Sequence, residues 1–272
     1  MAAHSPISQY VDRAERDGKL NFRFAEVAST HPEQSESALR QALHRLQKKG
    51  RIVLASRGSD HWIIVPFQDA HAGAPPLESW LHTYMAKTLQ VPYYVGLLSA
   101  AEIYGASPYA VMVTQIVVAK PRRPLQIGPH KLVFTVRSNV SKAPTQWHET
   151  ATGRFKVSTP EMTALDLIQH QADVGGLARL FAVLHRLFDT CTSANLQHAL
   201  DIVDTTPLAQ RLGSLLGLDG RDELANEVDR WLAGRRMRPV NLGEPSSGPK
   251  ESYMFDSIFK VHLPRDLDTA NA

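Results

Sequence analysis

Ser35-Glu-Ser-Ala-Leu-Arg-Gln-Ala-Leu-His-Arg-Leu-Gln-Lys-Lys-Gly50 reads as one helix with two unlike sides. Ser35 offers a hydroxyl to the free amides of the first turn, and Gly50 suits the left-handed position that ends a helix. Lys48 and Lys49 lie at the negative end of the helix dipole. Leu39, Leu43 and Leu46 recur at helical spacing and form a narrow apolar stripe. The opposite side carries Ser37, Gln41, His44 and Lys48, flanked by Arg40 and Arg45, and that outward face holds no acid. A helix in a DNA major groove needs this pairing of an apolar back with side chains that reach base edges and phosphates.

The surrounding chain supplies the rest of a small module. Residues 6–16 predict a helix with Ser5 as N-cap, Pro6 at its first position and a stripe of Ile7, Tyr10, Val11 and Ala14. A short helix follows over 23–29 and stops at His31-Pro32, because the residue before a proline disfavours helix. Beyond Gly50, residues 52–55 and 62–65 are rich in β-branched side chains and are joined by Ser56-Arg-Gly-Ser-Asp-His61, a hairpin with turn residues at its tip. Three helices followed by a hairpin give the order of a winged helix-turn-helix. Residues 66–76, rich in Pro, Gly and Ala, read as a linker, so the expected division is residues 1–70 and 71–272.

In this reading Gln41 pairs with adenine and Arg40 or Arg45 with guanine, each pair contributing about 1–3 kcal/mol of discrimination. Lys48, Lys49 and Arg51 are expected on phosphates, where they add affinity without sequence information. Arg57 with Gly58 suits a wing tip that reaches the backbone or a minor groove.

The second part alternates strands and helices, so the expected fold class is α+β: an N-terminal winged helix-turn-helix plus a larger mixed α/β domain. Helices are predicted over 77–89, 94–104, 177–188, 196–203, 208–216 and 222–233, and over 160–169 with Thr159 as N-cap and Glu161 in the first turn. Strands are predicted over 111–119, 125–127, 132–136, 155–157 and 253–262. The strand region carries Lys120, Arg122, Arg123, Lys131 and Arg137 with few acids, either as a second DNA-contacting surface or as edge strands protected from aggregation by lysine.

Composition limits the alternatives. A net charge of +3 decides nothing alone, and no apolar run approaches the roughly 18 residues that span a bilayer. The N-terminus lacks the pattern of a secretory signal, and the single Cys191 permits no intrachain disulfide, so a cytoplasmic protein is expected. The histidines show no His-Glu-x-x-His spacing, and no phosphate-binding Gly-Lys-Ser/Thr loop or Gly-x-Ser-x-Gly elbow is present. Neither Gly58-Ser59 nor Gly213-Ser214 is followed by the paired carboxylates of a nucleotidyltransferase. No enzyme, cofactor or metal is therefore expected. A stand-alone regulator and a protein-interaction module stay open beside a DNA-binding repressor.

Pro92-Tyr-Tyr-Val-Gly-Leu-Leu-Ser-Ala-Ala-Glu-Ile-Tyr-Gly105, followed by Val157-Ser-Thr-Pro-Glu-Met-Thr-Ala-Leu-Asp-Leu167, resembles two segments of the AbiEi-type antitoxins of type IV toxin-antitoxin systems. Arg238-Pro-Val-Asn-Leu242 and Phe255-Asp-Ser-Ile-Phe-Lys-Val261 resemble the family's C-terminal end, so that the likeness covers about residues 20–264. The resemblance implies an N-terminal winged helix that represses the operon on double-stranded promoter DNA. It also implies a C-terminal antitoxin domain with a basic face that assists DNA binding, and a nucleotidyltransferase-like toxin as functional partner. The hairpin departs from the family's compact Arg-Gly-x-aromatic form, because Ser59-Asp60-His61 intervene before Trp62. Read physically, Tyr94, Leu97, Leu98, Ala101 and Tyr104 have the spacing of core residues, and Asp166 reads as a buried hydrogen-bonding carboxylate.

Overall fold

The structure, a computed structural model, describes residues 5–56, 58–243, 253–265 and 267. It is mixed α+β. The chain folds into two compact units that are interleaved in sequence: Met1–Tyr93, Met112–Ser138 and Trp147–Lys156 form one, and Tyr94–Val111, Asn139–Gln146 and Val157–Ala272 the other.

The first unit opens with α1 (Pro6–Arg16), β1 (Asn21–Arg23), α2 (Phe24–Thr30) and α3 (Glu36–Lys48), then β2 (Ile52–Leu54) and β3 (His61–Ile64). Ser35 Oγ accepts from the Ala38 amide at 3.3 Å, the expected N-cap. At the other end of α3, Gly50 sits at φ 69°, its amide donates to Gln47 O and the Arg51 amide to Leu46 O. These two bonds satisfy carbonyls that the last turn leaves free, and only glycine takes that φ without strain. The apolar stripes of the three helices meet in one core: Ile7 and Val11 from α1, Val27 from α2, Leu39, Leu43 and Leu46 from α3, closed by Phe22, Ile52 and Ile64. The three strands form an antiparallel sheet with β3 in the middle, Phe22 opposite Trp62 and Ile52 opposite Ile64.

Residues 66–76 are not a free linker. Ala74 and Pro75 are buried, Trp80 is fully buried with its Nε1 donating to Pro75 O at 3.2 Å, and His130 Nε2 lies 3.0 Å from the same carbonyl. Thr88 Oγ1 donates to Asn21 Oδ1 at 2.9 Å, and Arg23 donates to Thr88 O. The predicted helix over 77–89 is a 3-10 turn (Leu77–Ser79) followed by a π-helical turn (Thr83–Thr88). Returning to this unit, β5 (Thr114–Val118) runs parallel to β7 (His130–Val136), which pairs antiparallel with β6 (Leu125–Ile127). The β8 (Thr145–Thr150) and β9 (Gly153–Ser158) strands turn within it at 150–153.

The second unit is built on α5 (Pro160–Gln169), whose residues Pro160 to Ile168 are all buried. The predicted helix over 94–104 divides into β4 (Tyr93–Val95) and α4 (Leu97–Ile103). A short apolar run fits either period, and the pairing of Val95 with Val157 decides for strand. Tyr94 OH donates to Asp166 Oδ2 at 2.8 Å, and Tyr104 OH to Ser158 O at 2.5 Å. Around α5 pack α6 (Gln171–Val174), α7 (Leu177–Phe188), α8 (Ser193–Val203) and α9 (Thr206–Leu218), and α10 (Asp222–Leu232) packs on α8 and α9. The single strand expected over 253–262 is a hairpin of β11 (Tyr253–Asp256) and β12 (Val261–Pro264), with β10 (Val240–Asn241) parallel to β12. Gln210 Nε2 fastens this sheet to α9 by donating to Arg238 O and Phe259 O.

Candidate nucleic-acid interface

The outward face of α3 follows from the burial of its other side. With Leu39, Ala42, Leu43 and Leu46 buried, Ser37, Gln41, His44, Arg45, Lys48 and Lys49 are all exposed. Glu36, Ser37, Arg40, Gln41 and His44 line a shallow concavity on the N-terminal half of the helix. Arg40 is exposed but not free: its guanidinium lies 2.7 Å from Glu36 Oε1 and 4.3 Å from the centre of the Phe24 ring. Both members of that pair are well exposed, so the link is worth at most about 0.3–0.5 kcal/mol and yields readily to a phosphate or a base.

Arg51 departs from the expected phosphate contact. Its Nη2 donates to Asp12 Oδ1 at 3.0 Å and Glu15 Oε2 at 2.6 Å, its Nη1 donates to Val65 O at 2.7 Å, and its plane covers Phe67 at 4.2 Å. Burial opposes its charge, but the hydrogen bonds it donates to Glu15 and Asp12 outweigh that and raise its pKa. Asp12 and Glu15 stand one turn apart on α1, so Arg51 pins α1 to the strands. Arg57 lies outside the described residues. Its neighbour Gly58 is at φ 78°, and the Ser59 amide closes the turn on Ser56 O at 3.0 Å.

His61, at the end of the hairpin loop, is turned inward. Its side chain is 13% exposed and its ring meets Tyr84 edge-on at 6.0 Å. Burial lowers its pKa, with Asp60 opposing that and Arg23 adding to it.

Of the second basic set, Lys120, Arg122, Arg123 and Lys131 are exposed, while Arg137 is half-buried. All five belong to the same compact unit as α3. A further cluster in this unit escapes sequence reasoning. Arg154 and Lys156 on β9 lie 4.5 and 5.8 Å from the centre of the Trp147 ring on β8, and His82 meets that ring at 4.7 Å. Its signal is the spacing of Trp147 and Glu149 against Arg154 and Lys156 across a tight turn, legible only once β8 is recognised as a strand.

Cys191 agrees with a packing role, since burial pushes its thiol pKa well above the usual range. Among the described residues, no group of three or more His, Cys, Asp or Glu is placed to hold a metal ion, and no helix is long and apolar enough to cross a membrane.

Residues 94–218 match the family model of the AbiEi antitoxin C-terminal domain. The chain is similar in fold to the crystal structure of the RV2827C protein from Mycobacterium tuberculosis, with a TM-score of 0.61 and 18% sequence identity over 94% of this chain and 90% of that one. No curated protein matches the sequence.

Proposed function

We propose, from the match of residues 94–218 to the AbiEi antitoxin C-terminal domain, that the chain is an antitoxin that counters a nucleotidyltransferase-like toxin and represses its own operon. In this reading residues 1–70 form a winged helix-turn-helix that binds double-stranded promoter DNA, residues 71–272 form the antitoxin domain, and both act in the cytoplasm without catalysis. One observation carries the DNA-binding half: α3 buries its leucines and turns Ser37, Gln41, His44, Arg45 and Lys48 to solvent together. The order of three helices and a β1-β3-β2 sheet supports the same reading, because it leaves α3 free to enter a major groove.

The roles divide by chemistry. Gln41, Arg40 and Arg45 read base edges, with Ser37 and His44 beside them, and Lys48 and Lys49 meet phosphates. Lys120, Arg122, Arg123, Lys131 and Arg137 supply further positive charge from the same compact unit and steepen the salt dependence.

Two assays test the two halves. Fluorescence anisotropy with the chain's own promoter should show tight binding that falls steeply with salt, and binding no tighter than to scrambled DNA overturns the repressor reading. Co-expression with the adjacent toxin gene should restore growth, and failure to rescue leaves a regulator outside a toxin pair.

A further inference from the structure

Beside the β2–β3 hairpin, within the first compact unit, lies a cavity of about 290 Å³ that the outward face of α3 does not use, although Arg122 and Arg123 of the second basic set line it. Its apolar lining is Tyr84, Leu89, Leu125 and Phe134. Its polar lining is Ser56 and Ser59 from the hairpin loop and Arg122 and Arg123 from the segment between β5 and β6. Those two arginines are neighbours in sequence, exposed, and without an ion pair among the described residues. Pro121 and Pro124 bracket them and restrict the backbone that carries them.

Adjacent arginines on a loop are commonly no more than a solvated turn. His61, which also lines the cavity, makes the difference. Its Nε2 is buried and has no hydrogen-bond partner, whereas Nδ1 lies 3.1 Å from Ser59 Oγ and 3.3 Å from Asp60 Oδ1. Either tautomer leaves an unanswered group at Nε2: a donor when Ser59 donates to Nδ1, an acceptor when Nδ1–H points to Asp60. A buried polar atom without a partner costs roughly 1–3 kcal/mol, a deficit that a ligand group removes.

We infer that this cavity binds a small organic phosphate, with the phosphoryl oxygens on Arg122, Arg123, the Ser56 hydroxyl and His61 Nε2–H, the tautomer set by Ser59 donating to Nδ1, and the organic part against Leu89, Leu125 and Phe134. Guanidinium forks match phosphate oxygens bidentately, and the hydroxyl and imidazole supply further donors. The volume sits at the lower limit of small-molecule pockets, roughly 300 Å³, and suits a sugar phosphate or mononucleotide.

The test is calorimetric titration of the full chain at low salt, without DNA, using inorganic phosphate, ribose 5-phosphate and 5′-AMP. At least one organic phosphate should bind saturably with one site per chain and about tenfold tighter than inorganic phosphate, an advantage of ~1.4 kcal/mol from the apolar lining. Arg122→Gln with Arg123→Gln should weaken that binding by tenfold or more with an unchanged melting curve, and His61→Gln should weaken it separately. The inference is overturned if none of the three ligands binds saturably, if neither organic phosphate exceeds inorganic phosphate, or if the double arginine variant binds as the parent does. Because no DNA is present, these results are independent of promoter recognition.

Discussion

Tyr94 donates its phenolic hydrogen to Asp166 Oδ2 at 2.8 Å, joining β4 to α5 by a buried bond. The two residues come from the two sequence segments that carry the family likeness, so the most recognisable stretches of the chain meet in a structural contact. Tyr94→Phe keeps the ring and removes one donor from a buried acceptor, which costs about 1–3 kcal/mol. Urea unfolding should show a lower midpoint with an unchanged slope, and promoter affinity of the folded variant should stay that of the parent. An unshifted midpoint contradicts this account of the bond.

Arg51 serves a different purpose from Lys48 and Lys49 just before it. Arg51→Met removes the links to Asp12, Glu15 and Val65 while keeping much of the stem that packs on Phe67. With Asp12 38% exposed, solvent screens part of the loss, and a destabilisation of about 1–3 kcal/mol is expected. The slope of log affinity against log salt for promoter DNA should not change. A slope reduced by about one would return Arg51 to the phosphate-binding set.

Lys48→Ala and Gln41→Ala should separate affinity from specificity. The lysine variant should weaken binding to every duplex and lower the salt slope by about 0.9. The glutamine variant should leave the slope alone and lose about 1–3 kcal/mol of preference at one base pair. Competition titrations over a promoter with single substitutions measure both, and equal losses on all sequences for Gln41→Ala contradict base reading.

Stability should fall in mild acid. Burial lowers the pKa of His61, and burial together with Lys156, Lys87 and Arg154 lowers that of His82. A folded pKa below the unfolded value means that the unfolded chain takes up protons first as pH drops. The contribution is complete above about pH 6.5, the unperturbed histidine value, and is lost as pH falls through the lowered folded values. The urea midpoint should therefore be lower at about pH 5.5 than at about pH 7.5, and His61→Gln should narrow that difference. An identical difference in that variant assigns the effect elsewhere.

Local chemistry made the helices legible. Ser35, Thr159 and Thr192 each accept from a first-turn amide, and the apolar stripe of α3 points inward as its spacing predicts. Contacts distant in sequence were less so. The three-residue β1 has no alternation of its own and exists because Asn21 to Arg23 pair with Ile63 to His61. The same holds for the compact units: the bonds between Thr88 and β1 tie a segment beyond residue 70 to the N-terminal part of the chain, and β5 finds its parallel partner β7 only across an intervening strand. On α3 the sequence ranks residues by exposure well, yet Arg40 meets Glu36 and Phe24, and Arg51 meets two carboxylates, which depends on partners no periodicity reveals.

Promoter recognition is assigned to the outward face of α3. Its most direct test is anisotropy titration of the parent chain and the Arg40→Ala, Gln41→Ala, Arg45→Ala triple variant against the chain's own promoter and a scrambled duplex. The account predicts that the parent prefers the promoter and that the triple variant binds both duplexes alike, with an unchanged melting curve. Parent-like promoter preference in the triple variant contradicts it.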